Sequence, residues 1–145
     1  MSAPSEYRSL HILPEELPAA LAGDVEKHWQ NICERSDAAQ REWYFAFAQS
    51  EHRQQLLTAF ACSPALAELC ARHPAWLPSL VVNQSLNTSL PDDAWSSELR
   101  NLCAECANAD ELATILRDFR NRHWLRIVWR DLNRLAAMED TVRDL

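Results

Sequence analysis

Apolar positions recur at intervals of three and four along most of the chain, and alternating strand-like patterns are few, which predicts an all-helical protein. Leu21, Val25, His28, Trp29 and Ile32 share one side of a helix that follows Pro14 and runs to about Arg35. Ser36 and Asp37 are suited to cap a second helix, DAAQREWYFAFAQS, with Trp43, Tyr44, Phe45 and Phe47 clustered near its end. Ser50 opens a third, although Arg53 stands where a capping box wants Glu or Gln. Ser63 before Pro64 and His73 before Pro74 start two short helices, PALAELCAR and PAWLPSLVV. The stretch NQSLNTSLPDD, from Asn83 to Asp93, reads as loop. A helix from about Asp92 to Asn108 then carries Trp95, Leu99, Leu102, Cys103 and Cys106 on one face, and the longest runs from about Asp110 to Leu135. Glu139 and Asp140, followed by Val142 and Leu145, read as the first turn of one more helix, which suggests a piece of a longer polypeptide. The expectation is an all-α fold: residues 1–145 as a single domain, a bundle of about six to eight helices with a long C-terminal helix.

Length and composition narrow the class. A chain of 145 residues with 48% hydrophobic and 24% charged positions is of globular type and long enough to bury a core. No window approaches the roughly 18 consecutive apolar residues of a membrane span. The N-terminus MSAPSEYRSLHILPEEL lacks a basic stretch followed by an apolar one, so no secretory signal is visible and a cytoplasmic location with no membrane partner is expected. Five cysteines in such a context read as free thiols. The single glycine, Gly23, excludes glycine-rich phosphate loops and dinucleotide fingerprints, and Lys27 is the only lysine. A net charge of −7 argues against nucleic acid as partner, because phosphate neutralisation needs basic surface.

Candidate chemistry is sparse. Cys103 and Cys106 form a C-x-x-C without a second pair to complete a zinc site, and in mid-helix they read as small apolar core residues. The five histidines show no ligand or catalytic pairing. Glu15–Glu16, Asp92–Asp93 and Glu139–Asp140 each fall at a helix start, where the macrodipole favours negative charge. No catalytic, cofactor-binding or metal residue is assigned.

One pattern resists a bland account. In LRDFRNRHWLRIVWRDLNRL, Leu116 to Leu135, six arginines face two aspartates, and Arg122, Arg126, Arg130 and Arg134 stand one helical turn apart. Like charges at this spacing repel by a few tenths of a kcal/mol per pair, so three such pairs cost about 1 kcal/mol unless something negative lies opposite. Asp118 and Asp131 compensate the ends, leaving Arg126 and Arg130 without local partners. Trp124, Leu125, Ile127, Val128, Trp129 and Leu132 surround the middle of the line, the signature of a helix contacted on several sides, where a buried charge must be paired. Three sources of that pairing stand open: acidic helices of this chain, carboxylates of a partner domain, or a phosphate-bearing ligand. The four arginines are therefore the candidate interaction or domain-contact residues.

Two segments carry a family resemblance. Ser63, Pro64, Ala67, Arg72, His73, Pro74 and Leu77 form the first. Leu116, Arg117, Phe119, Arg120, Arg122, Arg126, Ile127, Trp129, Arg130, Asp131 and Leu132 form the second. Together they resemble the N-terminal region of the bifunctional glutamine synthetase adenylyltransferase/adenylyl-removing enzymes, with Asn121 and Val128 departing from the family pattern. The resemblance covers roughly Leu57 onward. It implies a long cytoplasmic enzyme with two nucleotidyltransferase domains that use ATP and Mg2+. One removes AMP from glutamine synthetase by phosphorolysis and the other attaches it, under control of the nitrogen-regulatory PII protein. The family's glycine-rich catalytic motif and its metal-binding aspartate pair lie beyond the arginine helix, so this chain is expected to be inactive alone and to hold no cofactor. Its expected role is to support the adenylyl-removing half and to contact the downstream nucleotidyltransferase domain. The alternative is a stand-alone helical interaction module that binds an acidic partner through its arginine face or through an exposed aromatic patch from Trp43 to Phe47.

Overall fold

The computed structural model describes residues 7–91 and 93–145. The first six residues, part of the segment read for a secretory signal, and Asp92, read as a helix-start carboxylate, lie outside the described residues. Among the described residues there are eight helices and no strand. The chain divides into two compact units, residues up to Ser79 and residues from Leu80 onward.

The first unit holds α1 (Ala19–Arg35), α2 (Ala38–Ala48), α3 (Arg53–Cys62), α4 (Pro64–Arg72) and the start of α5 (Trp76–Val82). In α1, Val25, Trp29, Ile32 and Cys33 are buried, a stripe of one helical face that packs on α3 and α4. Leu56, Leu57 and Phe60 of α3 and Leu66, Leu69 and Cys70 of α4 complete the core. Each full-sized side chain buried there stabilises the fold by about 1.5–3 kcal/mol. Local signals set the boundaries. Asp37 and Gln40 form a reciprocal capping box on α2, and the Ser63 hydroxyl accepts from Leu66 N with Pro64 in the first turn of α4. At the third helix the expected cap is displaced: Ser50 Oγ accepts from His52 N, the helix begins at Arg53, and the arginine turns away to bind Glu16.

The second unit holds α6 (Ala94–Cys103), α7 (Ala109–Leu132) and α8 (Met138–Asp144), with α6 and α8 both packed on α7. Two boundaries differ from the sequence reading. The sixth helix ends at Cys103 instead of Asn108, because Asn108 is spent as the cap of α7, its side chain accepting from Glu111 N at 2.9 Å. The seventh ends at Leu132 instead of Leu135. Leu135 N bonds Arg130 O at 2.8 Å and Arg134 N bonds Asp131 O at 3.1 Å, the Schellman pattern, with Arg134 itself left-handed at φ 56°. A second Schellman turn closes α5, with Ser85 N on Leu80 O, Gln84 N on Val81 O and Gln84 at φ 57°. A chain with one glycine therefore places Gln and Arg where glycine is usual, at a cost of roughly 1 kcal/mol each.

A buried arginine cluster as the candidate functional site

The first half of α7 is largely exposed, whereas every buried residue of that helix lies from His123 onward. The arginine line thus runs from half-buried ground into the interior, and its members meet different fates.

Arg122, near the transition, bonds Glu98 of α6 at 2.5 Å. Glu98 also reaches Nε2 of His123 at 3.1 Å, so one carboxylate serves two neighbours on α7. The His123 ring lies between Trp95 and Phe119, with ring centroids 4.1 and 4.3 Å away. Burial pushes its imidazole below the usual histidine range, while Glu98 pulls the other way.

Arg126 is wholly buried. Its Nε donates to Ser85 O at 2.8 Å and Nη2 to Thr88 O at 2.6 Å, while Nη1 meets Asp144 of α8 at 3.2 Å. The guanidinium thus gathers the backbone after α5 and the side chain of α8 onto α7. Burial, followed by the charge of Arg130, lowers its pKa, and Asp144 offsets part of that shift.

Arg130, 3% exposed, is served less well. Nη2 donates to Leu135 O at 3.3 Å, and Nη1 stands 3.8 Å from the same Asp144 oxygen, an ion pair beyond hydrogen-bond reach. Its Nε and Nη1 find no hydrogen-bond partner among the described residues. Two buried cations share one carboxylate. Asp144 Oδ1 is also 3.7 Å from Nε of Arg143.

Arg134 lies beyond the end of α7 and is exposed, so it leaves the line that the spacing placed it on. The structure therefore joins Arg126 with Arg130, sets Arg122 on a separate carboxylate, and separates Arg134. The residues that sequence reasoning missed are Glu98, Asp144 and the carbonyls of Ser85 and Thr88. Glu98 and Asp144 were visible only as surplus acidic charge, and backbone acceptors leave no trace in residue identity.

Other readings change with the structure. The aromatic run from Trp43 to Phe47 is not an exposed patch, since Tyr44, Phe45 and Phe47 are buried and Tyr44 Oη bonds Pro74 O at 3.0 Å. Arg126 and Arg130 are buried as well, which takes the middle of the arginine face out of reach of an acidic partner. Cys103 is the last residue of α6 and Cys106 lies past it, so the C-x-x-C straddles a helix C-terminus and is not in mid-helix. The negative end of a helix dipole disfavours a thiolate. Burial and the neighbouring Cys103 push the Cys106 thiol up, and burial pushes Cys70 up to about 12. Among the described residues no group of three or more His, Cys, Asp and Glu side chains converges, and the buried guanidiniums are turned inward. These residues do not fit Mg2+ or the phosphates of ATP.

The glutamate-ammonia ligase adenylyltransferase family profile matches residues 53–145, which contain the whole cluster. The chain belongs to this family. Among the curated relatives, the bifunctional glutamine synthetase adenylyltransferase/adenylyl-removing enzyme of Shewanella loihica is 32% identical over 131 residues, 90% of this chain and 13% of the relative. That of Pseudomonas putida is 34% identical over 133 residues, 92% of this chain and 14% of the relative. That of Hahella chejuensis is 30% identical over all of this chain and 14% of its own length. The chain thus spans about one-seventh of these family members. No solved structure matches it. No described helix is long and apolar enough to cross a membrane.

Proposed function

We propose that this chain is the helical N-terminal portion of a glutamine synthetase adenylyltransferase/adenylyl-removing enzyme. In this reading it supports the phosphorolytic deadenylylation half and carries no catalytic motif of its own. The observation behind the proposal is that the family match spans the arginine helix, whose two central guanidiniums are spent on holding α8 and the α5 turn in place. Residues so engaged build a platform and do not handle substrate. Glutamine synthetase, the PII protein and a downstream nucleotidyltransferase domain are the partners this reading assigns, in the cytoplasm, with ATP and Mg2+ held by that domain.

The test is a chimera in which this chain replaces the matched region of the Pseudomonas putida relative, assayed for both adenylylation and deadenylylation of glutamine synthetase. Arg126→Ala is expected to lower deadenylylation about tenfold more than Arg100→Ala does, in line with the roughly 100-fold effects that 1 Å misplacements remote from the chemistry can produce. Equal effects of the two substitutions, or a loss confined to adenylylation, overturn the proposal.

A further inference from the structure

The last helix is turned inside out. In α8, Asp144 is the side chain held against α7, 10% exposed, and Thr141 bonds Asp131 at 3.2 Å. Met138, Val142 and Leu145, spaced by four and three, form its apolar edge, yet they are 71%, 67% and 80% exposed. A surface helix ordinarily buries its apolar stripe and solvates its charges. Here the polar side is inward, fixed by the buried arginines, and the apolar side is presented outward.

Two neighbouring features agree with that orientation. A cavity of about 310 Å3 adjoins the edge, lined by Trp95, Phe119, Trp124, Ile127 and Leu145, with Arg120, His123 and Asp144 as its polar members. A largely aromatic wall of this size, with a few polar groups, suits the side chains of a partner segment. The cavity also carries charge: Asp144 on its lining is spent on Arg126 and Arg130, whereas Arg120 on the same lining is exposed. Arg120, an exposed cation on the cavity lining, gives an incoming carboxylate a partner there.

We propose that the Met138–Val142–Leu145 edge and the adjoining aromatic cavity form a docking surface for a further polypeptide segment of the same enzyme. That segment carries apolar side chains and at least one carboxylate directed toward Arg120. The occupant follows from the charge complementarity and from the relatives, whose matched share is only 13–14% of their length, leaving ample polypeptide to cover the edge. The inference rests on the functional reading above and moves the domain-contact surface from the arginine line, whose two central members are buried, to the helix that they hold.

The test compares amide hydrogen exchange of α8 in the 145-residue protein and in the chimera described above. In the chimera the α8 amides are expected to exchange at least about tenfold more slowly, as docking against a second body removes local opening. Val142→Glu is expected to leave the melting temperature of the 145-residue protein unchanged and to restore fast exchange in the chimera. Val142→Leu keeps the protection, and Val82→Glu, on an equally exposed residue of α5, has no effect on α8. Equal exchange in both proteins, or indifference of the chimera to Val142→Glu, overturns the proposal. So does a concentration-dependent dimer of the 145-residue protein that Val142→Glu disperses, since the occupant is then a second copy. Exchange reports docking whichever way the deadenylylation assay falls, so the two readings fail separately.

Discussion

Asp144 Oδ2 lies 3.2 Å from Nη1 of Arg126, joining a carboxylate near the end of the chain to a guanidinium with no exposed surface. Removing one partner of a buried pair leaves the other uncompensated, which costs about 3–5 kcal/mol. Arg126→Ala is expected to destabilise the protein by about that amount in urea unfolding, because it also strands the carbonyls of Ser85 and Thr88. Asp144→Ala is expected to cost a similar amount, about 3–5 kcal/mol, because it leaves two buried guanidiniums, Arg126 and Arg130, without a carboxylate. Since the two residues touch, the double mutant should depart from additivity by about 1 kcal/mol or more. Arg100→Ala, on the exposed side of α6, should stay within about 0.5 kcal/mol of the parent. An additive cycle would mean that Asp144 does not hold the arginine.

How much of this was legible in the sequence depends on the range of the interaction. The eight helices, the Asp37 and Ser63 caps and the Val25, Trp29 and Ile32 stripe of α1 are encoded by residues within a turn or two of one another, and the pattern announced them, although Leu21, placed on the same face, is exposed. The arginine line announced a need for partners for the same reason: repulsion at four-residue spacing is local. The identity of those partners is not. Arg122 meets Glu98 across 24 positions and Arg126 meets Ser85 across 41, distances over which spacing carries no register. Helix ends were misplaced where a side chain had a competing task, as with Asn108, or where a residue other than glycine turned the chain, as with Arg134.

That turn supports a stabilising substitution. Gln84 and Arg134 hold left-handed backbone that glycine adopts without steric cost. Gln84→Gly and Arg134→Gly are each expected to raise stability by up to about 1 kcal/mol, less the added freedom of the unfolded chain. Thermal unfolding of the single and double variants measures the effect, and a loss above 1 kcal/mol from both would show that the side chains matter more than the strain.

Gly23 presents the reverse case. It lies on the exposed face of α1, away from any turn, and a Cβ built there meets nothing within 4 Å. Gly23→Ala is expected to stabilise the protein by about 0.5–1 kcal/mol through helix propensity and reduced unfolded-state freedom. Calorimetry would register a rise of a few degrees in Tm, and a fall would mean that α1 needs the glycine for a reason outside its own geometry.

Glu16 and Arg53 close the first unit through two parallel bonds, Nε to Oε1 at 2.7 Å and Nη2 to Oε2 at 3.0 Å, and Arg53 Nη2 also donates to Leu10 O. The Arg53 hydrogen bonds, then the one from Leu13 N, hold the Glu16 carboxyl down to about 2 from its ordinary 4.5. A carboxyl whose folded pKa is depressed adds stability above its unfolded value and loses it as protons bind the folded form. The contribution is therefore complete above about pH 4.5 and fades as pH falls toward 2. With both side chains about one-fifth exposed, solvent screening reduces it to roughly 1–2 kcal/mol. Glu16→Gln should lower stability by that amount at pH 7, and its stability deficit relative to the parent should shrink toward zero by about pH 2. Urea midpoints of the two proteins measured between pH 2 and pH 7 give the difference directly. A gap that stays constant over this range would show that the pair acts through packing and not through charge.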